Sequence, residues 1–133
     1  MTSYRTHGIV RAWLDAVSRR DGPALIRLLS DDVVLLPPFQ DEEVRGARNV
    51  LETFSAVEAA TQAFAYRRSW VAEDSAVLEF SATVDGCPIH GIDLIHFDTD
   101  GKIDRFDILT RSVVITQSLG GAVKKYLSKN ARR

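Results

Sequence analysis

The 133-residue chain has a single cysteine, Cys87, only four prolines, and 17 basic against 18 acidic residues. One cysteine excludes an intrachain disulfide, and a reducing cytoplasm is the simplest setting for such a chain. A net charge of −1 sets up no field that would draw the protein to nucleic acid or an anionic membrane, so neither is expected as a partner. Cations do gather at the C-terminus, in Lys124, Lys125, Lys129, Arg132 and Arg133, and are read as a solvated, frayed end. No apolar run approaches the roughly 20 residues of a membrane span. MTSYRTHGIVRAW lacks the unbroken apolar stretch of a signal peptide. Neither a phosphate loop nor a Ser-His-Asp arrangement is present. Cys87 stands between Gly86 and Pro88 with no base on its face, which is not the setting of a nucleophile.

The histidines do not make a metal site. Cys87 and His90 are three apart on a strand and point to opposite faces. His90 and His96 share a face but are separated by roughly 20 Å along it, whereas one ion needs its ligands at about 2 Å. No metal and no cofactor is expected.

What remains is ordinary for one soluble domain: 45% apolar and 26% charged residues, enough chain to bury roughly two thirds of its unfolded surface. A single domain over residues 1–133 is expected. Ile9, Val10, Trp13, Leu14 and Val17 recur at helical spacing between Ser3, a plausible N-cap, and Ser18. Asp21-Gly22-Pro23 then breaks the chain and starts a second helix, with aspartate as cap and proline in the first turn. Ala24, Leu25, Leu28 and Leu29 form its buried stripe. Ser30-Asp31-Asp32 ends it, and Val33 to Leu36 reads as a strand stopped by Pro37-Pro38. Phe39 to Gly46 reads as a charged loop. A third helix over 47–59 turns Val50, Leu51, Phe54 and Val57 inward.

After Thr61 the period switches to two for about fifty residues. One strand, 63–71, puts Phe64, Tyr66, Arg68 and Trp70 on a single face. The next, 76–85, sets Leu78, Phe80, Ala82 and Val84 against Glu79, Ser81 and Thr83, and Asp85-Gly86 is a hairpin signal. The last two strands lie in GIDLIHFDTDGKIDRFDILTR, Gly91 to Arg111, joined by a turn at Asp98-Thr99-Asp100-Gly101. Val113 to Ile115 prolong the final strand, and Gly120-Gly121 interrupts any helix beyond it. Helices first and an antiparallel meander afterwards imply an α+β fold, a curved antiparallel sheet wrapped around N-terminal helices to enclose a cone-shaped pocket.

Within that meander Asp93 is out of pattern. Alternation places it in register with Ile95 and Phe97, on the face of large apolar side chains. If Asp98 pairs with Gly101, Asp93 lies opposite Phe106, with Ile108 next along the same wall. Trp13, Val17, Phe54, Tyr66 and Phe80 complete the expected lining. A carboxyl placed there is desolvated and its pKa rises. It either works on a ligand or is satisfied internally by Trp13, Tyr66 or a buried water. The opposite face mixes Ile92, Leu94, Ile103 and Leu109 with His90, His96, Arg105, Asp107 and Arg111. That mixture predicts a twofold homodimer through the outer sheet face, unless the segment 113–127 covers it.

VRAWLDAVSRRDGPALIRLLSDDVVLLPP, VRGARNVLETF and GIDLIHFDTDGKIDRFDILTR together resemble the nuclear transport factor 2-like superfamily, also called SnoaL-like or cystatin-like. The resemblance covers about Val10 to Arg111. It implies the α+β cone, and it leaves activity open, because this superfamily hosts isomerases, cyclases, hydrolases and pure binding domains. Compared with ketosteroid isomerase, Asp93 takes the place of the acid that donates a hydrogen bond. Trp13 stands where that enzyme has a tyrosine, and Pro37 where it has its general base, so the catalytic set is incomplete. Epoxide hydrolases of this fold are similar too, and Arg68, Asp93 and Tyr66 are the residues that would serve in their manner. The expected function is binding of a small, mostly apolar molecule in the cone. Its catalytic form would be cofactor-free acid–base chemistry through Asp93, of isomerase, cyclase or hydrolase type. The alternative is a non-catalytic ligand-binding or dimerisation module.

Overall fold

A computed structural model of the chain describes residues 3–131. The elements run α1 (Ser3–Ser18), α2 (Gly22–Leu28), β1 (Leu29–Leu36), β2 (Val44–Arg45), α3 (Ala47–Ala60), β3 (Gln62–Val71), β4 (Ser75–Val84), β5 (Cys87–Phe97), β6 (Ile103–Arg111) and α4 (Val113–Ala131). The strands form one curved, unclosed sheet in the order β2-β1-β6-β5-β4-β3. All neighbours are antiparallel except β1 and β6, which run parallel. The architecture is α+β, and the helices pack into the concave side.

Local chemistry explains the helix boundaries. Asp21 caps α2, its Oδ1 accepting from the Ala24 amide at 3.0 Å, with Pro23 in the first turn. The strand that follows begins at Leu29, earlier than Val33, so Ser30 to Asp32 belong to β1. The loop before α3 contains the two-residue strand β2. On α3 the fully buried positions are Val50, Thr53 and Ala56, while Leu51, Phe54 and Val57 are half-buried. The side chain of Ser3, expected as a cap, and Arg132 and Arg133 of the basic terminus lie outside the described residues.

Within the meander β3 to β6 the strand register departs from simple alternation at three points. At the β5–β6 turn, the Asp98 amide donates to Lys102 at 2.8 Å, so Asp98 pairs one residue further on than Gly101. The Asp98 carboxylate ties the turn by accepting from the amides of Asp100 and Lys102, both at 2.9 Å. A bulge then makes Asp104 an extra residue between the pairs Phe97↔Ile103 and His96↔Arg105, and its carboxylate holds His96 Nδ1 at 2.7 Å. Two one-residue shifts cancel in parity. The residue opposite Asp93 is therefore Ile108 rather than Phe106, yet every face from Arg105 onward is as alternation predicts. Ile103, before the bulge, is turned into the core and is fully buried, not on the outer face.

The other two departures are on β3. Tyr66 pairs with Phe80 but Ser69 with Leu78, which leaves one extra residue at Arg67-Arg68. Phe64 and Tyr66 consequently face the concave side, whereas Arg68 and Trp70 face outward. There Arg68 binds Glu79 through two hydrogen bonds of 2.9 Å and lies 5.1 Å from the centre of the Trp70 ring. A single face for all four residues is thus incorrect. A second bulge separates Gln62↔Thr83 from Ala65↔Ser81, and Ala63 within it has φ +55°.

The C-terminal segment is helical from Val113, not a strand extension, and α4 runs straight through Gly120-Gly121. Packing outweighs propensity there. A Cβ at Gly120 would meet Phe39 Cβ at 2.7 Å, so glycine is what lets the helix seat on that ring. Leu119 and Val123 bury themselves against Ala56, Ala82, Val84 and Ile89, on the concave side. Among the described residues nothing covers the outer face, where Trp70, Leu94 and Leu109 are exposed. Among the described residues no helix is long and apolar enough to cross a membrane.

Candidate functional site

Between the helices and the sheet lies a cavity of about 890 Å³, within the roughly 300–1,000 Å³ range of small-molecule sites. Asp93, Trp13, Val17, Phe54, Tyr66, Phe80, Phe106 and Ile108 all border it. Two aromatic groups make up much of its wall. Trp13, Phe54 and Phe106 meet edge to face or tilted at 5.0 to 5.7 Å between ring centres. On the other side Phe64 stacks on Phe80 at 5.2 Å and meets Tyr66 edge-on at 5.1 Å. Such pairs hold their rings in fixed orientations.

Phe80 owes its place to a missing side chain. A Cβ on Gly91 would stand 2.6 Å from the tip of the Phe80 ring and 2.5 Å from the Leu109 carbonyl. Gly91 pairs with both Phe80 and Thr110, and the space it vacates is filled by the phenyl ring.

Asp93 is 3% exposed. The Tyr66 hydroxyl donates to its Oδ2 at 2.7 Å, and Trp13 Nε1–H donates to the Tyr66 oxygen at 3.2 Å. The result is a directed chain, indole to phenol to carboxyl. Oδ1 accepts no bond from any described residue. No side-chain oxygen or nitrogen among the described residues is sealed off without a partner, so Oδ1 keeps access to the cavity. Burial drives the Asp93 carboxyl from its ordinary 3.8 up to about 7, and the Tyr66 hydrogen bond offsets only part of that rise. Burial, and then the neighbouring Asp93 charge, push the Tyr66 phenol well above 10, so it remains a donor. Tyr66 as a whole is half-buried and borders the cavity.

The other polar groups of the chain stand apart from Asp93. Arg68 is committed to Glu79 on the outer face, so no Arg68–Asp93–Tyr66 set forms. Pro37 is buried in the cavity wall and brings no carboxylate. Asp41, Glu42 and Glu43 are exposed. His90 and His96 are exposed on the far side of the sheet. Leu119 and Phe39 also border the cavity; they went unrecognised because Gly120-Gly121 masks the helix that carries one and seats the other.

A SnoaL-like domain model matches residues 10–106. No functionally curated protein sequence matches the chain. Among solved structures, the chain is similar to a steroid delta-isomerase from Pseudomonas aeruginosa, with 32% identity and a TM-score of 0.90 over 97% of this chain and 96% of that one. It is also similar to an uncharacterised bacterial protein with a cystatin-like fold from Silicibacter pomeroyi, with 25% identity and a TM-score of 0.89 over 95% and 89% of the two chains. An NTF2-like protein of unknown function from Mesorhizobium loti shares the fold at 22% identity, with a TM-score of 0.73 over 83% and 93%. With the match spanning most of its length and the architecture agreeing throughout, this chain belongs to the SnoaL-like domain family.

Proposed function

We propose that the protein takes up a small, mostly apolar, carbonyl-bearing molecule in the cavity and carries out cofactor-free proton transfer on it through Asp93. The observation that carries this reading is the Asp93 carboxyl: buried, held at Oδ2 by Tyr66, open to the cavity at Oδ1, and poised near neutral pH. A group with that pKa exchanges its proton readily under physiological conditions. Protonated, Oδ1 donates to a ligand carbonyl; ionised, it accepts a proton from an acidic C–H or O–H of the ligand. In an isomerisation the proton taken from one carbon is returned at another, and the carboxyl ends as it began. The similarity to a steroid delta-isomerase supports this reaction type. With proline at 37, Asp93 has to act without a second carboxylate, so isomerase, cyclase and hydrolase chemistries all remain within the proposal.

Titration with prodan, a fluorescent naphthyl ketone, tests the site. Wild type is expected to bind it more tightly below about pH 6 than above about pH 8, as the donating proton is lost. Asp93→Leu is expected to weaken binding about tenfold at the lower pH, the worth of one buried hydrogen bond. Asp93→Asn, which keeps a donor, should retain affinity and lose the pH dependence. Equal affinity in all three proteins at both pH values removes the carboxyl from any role.

A homodimer through the outer sheet face is a second part of the proposal. Leu94 and Leu109 are 42% and 53% exposed there, and α4 lies on the other side of the sheet. Light scattering after size exclusion is expected to give a dimer at micromolar concentration, and Leu109→Glu is expected to give a monomer. A monomeric wild type rejects this. A cytoplasmic location also belongs to the proposal, supported by the exposed free thiol of Cys87.

A further inference from the structure

We propose that Phe64 is the gate of the cavity, the side chain that controls how readily molecules reach Asp93; this rests on the reading that the cavity takes up a small molecule. Its position is specially built. Were β3 paired in the register of its C-terminal end, Ser69↔Leu78 and Val71↔Ala76, then Ala65 and Arg67 would face the cavity and Phe64 and Tyr66 would face outward. The register at Gln62↔Thr83 leads to the same arrangement from the other end. Only the short stretch between the two bulges has the phase that turns Phe64 and Tyr66 inward. One of those bulges holds Ala63 at φ +55°, a left-handed conformation that disfavours any residue with a Cβ by about 1 kcal/mol or more. Bulges re-aim side chains beside functional sites, and local strain of this kind persists where function requires it.

Phe64 differs from the other wall aromatics in its freedom. Phe80 is 7% exposed and Trp13 is 2% exposed, whereas Phe64 is 39% exposed. It stands on an edge strand with a neighbour on one side only. Its ring lies flat on Phe80, 22° from parallel, and edge-on to Tyr66. Rotation of this one side chain uncovers Phe80 and the ring that carries the hydroxyl bound to Asp93. Closed, the ring narrows the way to the carboxyl.

The chain has two tryptophans, which permits a test that needs no ligand. In a Trp70→Phe background all indole emission comes from Trp13 on the cavity wall, and acrylamide is the small molecule that must reach it. Phe64→Ala is expected to raise the acrylamide quenching rate constant about threefold or more, as an opened gate should. Phe64→Tyr, which keeps the ring, is expected to stay at the wild-type value, and Phe64→Leu to fall between. Should the alanine variant fail to fold, the leucine variant carries the test. An unchanged quenching constant overturns the proposal, and so does an equal rise in the tyrosine variant. With prodan, Phe64→Ala should speed association and dissociation together. Ketone affinity indifferent to Asp93 sinks the proton-transfer reading and leaves the gate standing; unaltered quenching sinks the gate and leaves that reading standing.

Discussion

Replacing Asp93 with asparagine is expected to stabilise the protein above neutral pH. The folded-state pKa of about 7 lies above the ordinary 3.8, so the folded protein holds this proton more tightly than the unfolded chain does. Between about pH 4 and pH 7 the native state is protonated and the unfolded state is not, and stability falls as pH rises. The stabilising contribution is complete below about pH 4 and gone above about pH 7. Three pH units at about 1.4 kcal/mol each give a difference of about 4 kcal/mol. Asparagine does not titrate, and its carbonyl can still accept from the Tyr66 hydroxyl. At about pH 8 the variant should therefore melt on the order of 10 °C higher than wild type, and the two should converge near about pH 4. Melting curves across that range check this. A variant no more stable than wild type at high pH would mean that the carboxylate is well solvated where it stands.

Gly91→Ala is expected to cost about 3 kcal/mol, at the upper end for one added methyl in a packed interior. The reason is the identity of the obstacle. The Phe80 ring can rotate away from a new Cβ, but the Leu109 carbonyl at 2.5 Å is part of the β5–β6 ladder and cannot. Urea denaturation should show the loss, and Phe80→Leu in the alanine background should recover only part of it. Prodan binding should weaken as well, because the displaced ring leaves the cavity wall. A loss under about 1 kcal/mol would show that the two strands can separate to admit the methyl group.

Most of the fold could be read from periodicity, and the failures have physical causes. Asp93 was recognisable because one carboxylate in an otherwise apolar alternation is conspicuous, and its face depends only on parity. The pairing partner depended on the length of the turn and on a bulge at Asp104, neither of which is encoded by hydrophobicity. Two shifts left the wall intact while replacing Phe106 with Ile108 opposite Asp93. On β3 one bulge was enough to separate Arg68 and Trp70 from Phe64 and Tyr66. Helix α4 was hidden by a glycine pair whose purpose is close packing on Phe39, a tertiary demand that local propensity does not see. The Trp13–Tyr66–Asp93 chain joins three elements distant in sequence, and only its members could be anticipated.

The bulges of β3 have a consequence beyond the cavity. This strand is an edge of the open sheet, and a straight edge offers its unpaired amides and carbonyls to any passing chain. Two interruptions and the cations Arg67 and Arg68 deny that template to a second molecule. The backbone irregularity that aims Phe64 and Tyr66 thus also guards the solubility of the protein, and straightening the strand to simplify the site would expose it to fibrous self-association.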